Sequence, residues 1–384
     1  MLAVHNLLHK KIKTAIAVAG VTFAVVLMFM QLGFLEAVKA SATVTYDFLD
    51  FDICLRSRDY LHLAEPRDFP RTRLARVESD PSVTSAAPLL VTMSVWNHPR
   101  DGQNRAILCL GIRPQDAVFA NPQMQSAARA LLRRSDALLV DTKTRGEYGA
   151  ANGSRFGDAD SGSAVELNGK STWIAGCFTC GAGLSSAGAV ILNEQGILRT
   201  APYAAADSIN LGLLKIAAGE NPGQVAARLE ALLGADAGVE VLTRQDVLNS
   251  ELNHWVLDTN YGLIFQTGVF MSILVGMAIS YQVLASDVAS MLPEYATLKA
   301  IGYSNRYISG VILQQAVLLA VAGFLVGLLI ASVLYELTSA GAQVPVRFTA
   351  VNIGSVLGLA LVMCVCAGLA ALRKAFQSDP ADLF

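Results

Sequence analysis

Charge is what this sequence has least of. Only 16% of its 384 residues are Asp, Glu, Lys or Arg, while 53% are hydrophobic, which departs from soluble averages in both directions. The formal net charge of −2 gives no hint of nucleic acid, which would call for a basic surface, and that class of function is set aside. Histidine is also scarce: the five are His5, His9, His62, His98 and His254, and none stands in a paired metal-binding spacing such as His-Glu-x-x-His. A Gly-x-Ser-x-Gly elbow is missing too, so no hydrolase nucleophile is announced. His98 lies in the turn "NHPRDGQN", where solvent exposure is expected.

Two short motifs suggest chemistry and read better as structure. "AVELNGKS" (164–171) resembles a relaxed phosphate loop, but such a loop needs a helix after it, and Lys170 and Ser171 instead enter the strand-like "TWIAGCF". Asn168-Gly169 is then a hairpin turn. "CFTC" (177–180) has the spacing of a redox pair or half a zinc site. Zinc would need two more ligands, and Gly181 and Gly183 follow where a thioredoxin-like motif needs a helix. The pair reads as incidental cysteines at a strand end, with a disulfide between them left open by the oxidising exterior. No catalytic, metal or cofactor residue is expected.

What the sequence does have is four uncharged apolar runs, roughly Ala15 to Leu35, Leu263 to Ala285, Val311 to Leu334 and Ile353 to Leu372. Each is long enough to cross about 30 Å of hydrocarbon, and Gln31, Gln282 and Gln314 are among their few polar residues. Lys10, Lys11 and Lys13 with Ala40-Ser41-Ala42 imitate a signal peptide, but the first run exceeds a typical h-region and reads as an uncleaved anchor. Leu7, Leu8 and Ile12 suit a short interfacial helix before it. Lys299, Arg306, Arg373 and Lys374 fall on the same side as the N-terminal lysines, which predicts an inner (plasma) membrane protein with both termini cytoplasmic.

The fold class expected is an α-helical membrane protein with four transmembrane helices and a large α+β extracytoplasmic domain inserted between the first and second. The order is an interfacial helix (1–14), a first span (15–37), a periplasmic α+β domain (38–256), a second span with a stalk helix (257–285), a coupling-helix loop (286–306), a third span (307–337), a short periplasmic loop (338–352), a fourth span (353–372) and a cytoplasmic tail (373–384). Strands are expected at 51–55, 88–96, 105–112, 163–167, 171–178 and 208–216 from their alternation. Asn221-Pro222 opens one helix, and Thr243 with Asp246 opens another. Leu248, Leu252, Trp255 and Val256 keep helical spacing in the latter, and no Pro interrupts the chain before Ala285, so it is expected to run on into the second span as a stalk. Gly323 and Gly327 in the third span, and Gly354 and Gly358 in the fourth, form GxxxG patterns that allow close helix approach, within the chain or between copies.

The connection "PEYATLKAIGYSNRYISGVILQQ" (293–315) carries more than a turn requires. Pro293 suits a helix start, Gly302 its stop and Ser304 the cap of the next helix, so about two turns of stiff rod are expected at the membrane surface.

This arrangement, with "EYATLKAIGYS" in the connection, resembles the permease subunits of MacB/FtsX-type ABC transporters. Within that family the near-N-terminal "NLLHKKIKTAIAVAGVTFAVVLMFMQLGF", the external "GCFTCGAGLSSAGAVILNEQ" and the terminal "DPADLF" are most similar to DevC-like permeases. The resemblance implies a non-catalytic subunit that pairs with a second permease copy and transmits the work of a separate cytoplasmic ABC ATPase by mechanotransmission. It further implies a periplasmic membrane-fusion adaptor, a TolC-like outer-membrane channel and a lipid, glycolipid-like or other hydrophobic cargo. The rod becomes the coupling helix, with Glu294, Tyr295, Leu298, Lys299, Gly302 and Tyr303 as the ATPase contacts. The alternative in the same family is an FtsX-like signalling subunit regulating a periplasmic cell-wall hydrolase.

Overall fold

The computed structural model describes residues 11–377 apart from 99, 101, 182, 185, 202, 235–237 and 343–347, so most of the expected interfacial segment and the terminal "DPADLF" lie outside the described residues. The first apolar run forms α1 (Lys11–Phe48), which passes without a break through the Ala40–Ala42 stretch. Residues up to Ala37 pack in one compact unit with Asn260–Phe384, and Val38–Thr259 form the other.

After α1, the second unit contains β1 (Ile53–Ser57), β2 (Phe69–Pro70), α2 (Arg71–Glu78), β3 (Val83–Asn97), β4 (Asn104–Ile112), α3 (Pro122–Leu131) and β5 (Ala137–Asp141). It continues with β6 (Ala164–Leu167), β7 (Lys170–Phe178), β8 (Ala189–Asn193), α4 (Glu194–Thr200), β9 (Ser208–Ile209), β10 (Leu211–Ile216), α5 (Pro222–Leu233), β11 (Val239–Thr243) and α6 (Arg244–Asn253). Nine strands form one sheet in the order β11-β1-β10-β3-β4-β8-β5-β7-β6. Because β6 also pairs with the far end of β3, at Trp96↔Leu167, the strands from β3 to β6 close into a ring. The long β3 serves both parts, pairing with β10 up to Leu89 and with β4 from Leu90.

Strand alternation sorts the core. On β4, Ile107 and Cys109 join Trp96, Val165, Ile174 and Val190, while Leu108 and Leu110 join Leu139, Ile191, Phe119 and Tyr46 on the opposite face. A third cluster packs Ile53 and Leu55 of β1 under Leu74 and Val77 of α2 and Val225 and Leu229 of α5. Asn221 caps α5 by accepting from Gly223 N and Gln224 N, and Thr243 and Asp246 form a reciprocal capping box on α6. Asn168 (φ 49°) and Gly169 (φ 73°) make the tight turn between β6 and β7, the left-handed pair that a two-residue hairpin demands.

Three expectations need correction here. The strand over 208–216 is divided at Asn210, whose side chain accepts from Val91 N at 2.8 Å. His98 is buried at 2% exposure rather than solvated, packed against Gly149 and accepting Arg100 N at 3.1 Å. The continuous stalk is interrupted: α6 ends at Asn253, a wider π turn spans His254–Asp258, and Thr259 is extended. Thr259 N donates to His254 O at 3.0 Å, closing that wider turn, and its hydroxyl donates to Trp255 O. Thr259 thus takes the dihedrals of an N-cap, and a new helix begins behind it.

That helix is α7 (Asn260–Ala300), followed by α8 (Asn305–Ala342) and α9 (Ala350–Gln377). With α1 they are four helices long and apolar enough to cross a membrane. The seams of this unit are made of small residues, among them Ala17, Ala24, Ala316, Ala320, Ala360 and Ala367. Some polar side chains in these helices bond to their own helix, as Ser272 Oγ does to Gly268 O at 2.7 Å, and others reach a neighbouring helix, as Tyr335 Oη does to Phe29 O. The protein is therefore an α-helical membrane protein with four spans and a large α+β domain inserted between the first and second.

Candidate functional site

The turn between the second and third spans differs from the expected two-turn rod. The backbone of α7 runs as helix from Asn260 through Pro293 to Ala300, so the rod is the end of the second span and not a separate element. A proline removes one backbone bond, which a 41-residue helix absorbs more readily than a short one. The helix stops where expected: Gly302 sits at φ 105°, a left-handed backbone that costs glycine little. Ser304 O then accepts Tyr307 N at 3.0 Å and opens α8.

Of the residues assigned to ATPase contact, Gly302 and Tyr303 are described and exposed, Tyr303 by 45%. The side chains of Glu294, Tyr295, Leu298 and Lys299 lie outside the described residues. Ile301 is 71% exposed, and the rings of Tyr303 and Tyr307 stand 4.8 Å apart. Next to this apolar turn, Val288 and Met291 of α7, Ile308 and Ile312 of α8 and Leu372 of α9 form a buried cluster of their own. This cluster packs α7, α8 and α9 against one another near the turn, while Ile301 and Tyr303 of the turn stay outside it.

The glycine patterns divide into two kinds. A Cβ on Gly323 would stand 2.5 Å from Val21 Cγ1, and one on Gly327 2.5 Å from Val25 Cγ1, so these two let α8 meet α1. Thr22 Oγ1 donates to Gly323 O at 3.3 Å across the same seam. Gly354 and Gly358 face open space, with nothing within 4 Å of an added Cβ.

The cysteine loop is organised by a carboxylate. Asp141, fully buried, accepts from Lys143 N and Cys180 N through Oδ1 and from Gly181 N through Oδ2. Cys177 and Cys180 are free thiols, and burial pushes Cys177 up to about 11 and Cys180 higher still. A free thiolate is therefore disfavoured at both.

One polar cluster escaped the sequence reading. Tyr46 near the end of α1, Tyr60 after β1 and Glu251 on α6 bring three oxygens together: Tyr46 Oη to Tyr60 Oη 2.5 Å, and each hydroxyl to Glu251 Oε1, at 2.8 and 2.6 Å. Arg56 lies over the Tyr60 ring at 4.5 Å and bonds Glu240 and Ser250. The buried face of α6 is Val247 and Glu251, while Leu248 is only partly buried. The signal was present as a carboxylate one helical turn from Val247, but a glutamate in an amphipathic helix reads first as solvent-facing.

Residues 267–380 match the FtsX-like permease C-terminal family. No curated protein matches the chain by sequence. Among solved structures, the periplasmic region of MacB from Actinobacillus actinomycetemcomitans is similar at 10% identity and a TM-score of 0.38, covering 53% of this chain and 94% of that one. The extracellular domain of the noncanonic ABC-type transporter YknZ from Gram-positive bacteria is similar at 14% identity and a TM-score of 0.32, covering 50% and 98%. A domain of a permease protein from Porphyromonas gingivalis is similar at 13% and 0.31, covering 51% and 88%.

Proposed function

We propose that this chain is the membrane permease subunit of an ABC exporter, powered by a separate ATPase subunit that docks on residues 293–303. It works as one of two permease copies in the inner membrane, with both termini cytoplasmic and the α+β domain outside. A periplasmic adaptor and an outer-membrane duct receive a hydrophobic, lipid-like cargo. The FtsX-like permease match over the last three spans supports the family reading. The mechanical reading is carried by one observation, the cluster of Val288, Met291, Ile308, Ile312 and Leu372 that packs α7, α8 and α9 together near the exposed turn. A push on Ile301 to Tyr303 is delivered into α7, which rises unbroken for 41 residues, about 60 Å of stiff helix.

Gly302→Pro and Leu298→Asp test the coupling. Proline holds φ near −65° and cannot adopt the 105° of Gly302, so the stop is rebuilt and the helix ends lose their fixed relation. Export by membranes carrying either variant is expected to fall about fivefold or more, while the chain still inserts and the partner still hydrolyses ATP. Unchanged export in both would refute the docking assignment. Orientation is checked separately with tags at Gly102, which has open space around it, and after Phe384. The first is expected to be protease-accessible in spheroplasts and the second protected; the reverse result inverts the topology.

A further inference from the structure

A cleft of about 880 Å³ opens in the inserted domain where β4 and β8 end side by side. The two strands are parallel, with Ile112 opposite Asn193, and beyond them the chain leaves in two directions, through Arg113-Pro114-Gln115 towards α3 and directly into α4. Adjacent parallel strands whose exits diverge leave a crevice at their carboxyl ends, a favoured place for ligands in α/β sheets. The volume falls within the range of small-molecule sites.

The lining is cationic. Leu198 is its partly exposed apolar residue, Ile112 and Leu132 lie fully buried behind it, and Arg113, Arg129 and Arg133 complete the lining. Arg113 Nε donates to Glu194 Oε2 at 2.8 Å, and Arg71 donates to the other oxygen of the same carboxylate. Burial pushes Glu194 up, and the bonds from Arg113 and Arg71 outweigh it, so its acid is held below the usual range and stays ionised. Arg129 spends Nε and Nη2 on the carbonyls of Pro114 and Gln115. Arg133 is exposed and makes no bond or ion pair to the described residues. The acidic groups nearby are Glu194, Asp116 and Glu78, against the four guanidiniums of Arg71, Arg113, Arg129 and Arg133, and the lining itself sets Arg113, Arg129 and Arg133 against Glu194, so the cleft carries surplus positive charge in a chain whose net charge is −2. Asn193 fixes the wall, accepting Gly196 N at 2.7 Å and donating to Leu132 O at 3.0 Å.

We infer that this cleft is a binding site for a small amphiphilic anion, an apolar body carrying a phosphate, sulfate or carboxylate group. Arg133 and the free guanidinium edges of Arg113 and Arg129 take the anionic group in forked hydrogen bonds, and Leu198 takes the apolar body. The site is independent of the exporter reading, because it needs neither the ATPase nor cargo movement.

The test is binding of 1-naphthyl phosphate to the full chain in zwitterionic nanodiscs, read by naphthyl fluorescence against empty discs. Saturable binding at one site per chain is expected, weakened by added salt. Inorganic phosphate and neutral 1-naphthol are each expected to bind at least about tenfold more weakly. Arg133→Glu is expected to lose about tenfold or more and Arg133→Lys no more than about threefold, tryptophan emission confirming that both variants fold. Equal affinity in Arg133→Glu, or binding no greater than to empty discs, would overturn the site. Inorganic phosphate binding as tightly as the naphthyl ester would overturn its amphiphilic character. None of these outcomes depends on whether the chain exports anything.

Discussion

A Gly323→Leu chain is expected to insert into membranes and then fail to assemble its helices, losing most of its folded yield on extraction in mild detergent. The cause is local. The first side-chain atom would stand 2.5 Å from Val21 Cγ1, 2.7 Å from Val21 Cβ and 3.2 Å from the backbone nitrogen of Thr22, so relief requires α1 and α8 to separate. Their parting also breaks the bond from Thr22 Oγ1 to Gly323 O and lifts Gly327 from Val25. Overpacking of this kind costs about 1–3 kcal/mol, a large share of the stability of a helix unit held by packing and not by exclusion of water. Gly354→Leu is the matched control, since nothing lies within 4 Å of its added Cβ, and its thermal melt in detergent is expected to follow the unmodified chain. A Gly323→Leu melt equal to that of Gly354→Leu would dispose of the seam.

The same contrast marks what the amino-acid string could convey. Four uncharged runs announced four helices, because an unbroken apolar run of about 20 residues satisfies its own backbone groups in hydrocarbon as a helix, whereas barrel strands are shorter and alternate. The GxxxG spacing said that a close approach was available at two places, but only neighbours in space distinguish Gly323 from Gly354. In the inserted domain, strands with alternating faces such as β6 and the first half of β7 were readable from period two. The strands β5 and β8 are buried along their whole length and show "ALLVD" and "AVILN", runs too short and uniform to tell from helix. The Arg-lined cleft was invisible, since Arg113, Arg129 and Arg133 converge only once β4, α3 and β8 are assembled. At the turn after the second span, Gly302 was legible because φ 105° is a glycine property, whereas Pro293 misled because a long helix tolerates what a short one does not.

Unfolding of the inserted domain is expected to depend on pH through Glu251, and all three tryptophans, Trp96, Trp173 and Trp255, lie in that domain to report it. With the carboxyl ionised, Tyr46, Tyr60 and Glu251 Oε1 share two protons among three close contacts, so one contact sets lone pair against lone pair. A third proton completes the ring. Burial of Glu251, 1% exposed, raises its acid above the ordinary 4.5, against the lowering effect of the Tyr60 and Tyr46 bonds and of the Arg56 and His254 charges. The sign follows from linkage: a carboxyl whose folded value is raised contributes stability that is full below about 4.5 and is lost as pH rises through the folded value. In urea melts of the full chain, the unmodified protein is therefore expected to lose stability relative to Glu251→Gln as pH climbs from 4.5 towards neutral. The comparison with Gln removes most of the slope from His62, whose ring stacks on His254 at 4.9 Å and whose value is lowered by burial and by that neighbour. Glu251→Leu is expected to cost about 3 kcal/mol at neutral pH, because both hydroxyls lose a charged acceptor in a site closed to water. Parallel pH profiles for the unmodified chain and Glu251→Gln would mean that the carboxyl titrates as it does in the unfolded chain. The three oxygens would then be a packing contact without a proton-linked role.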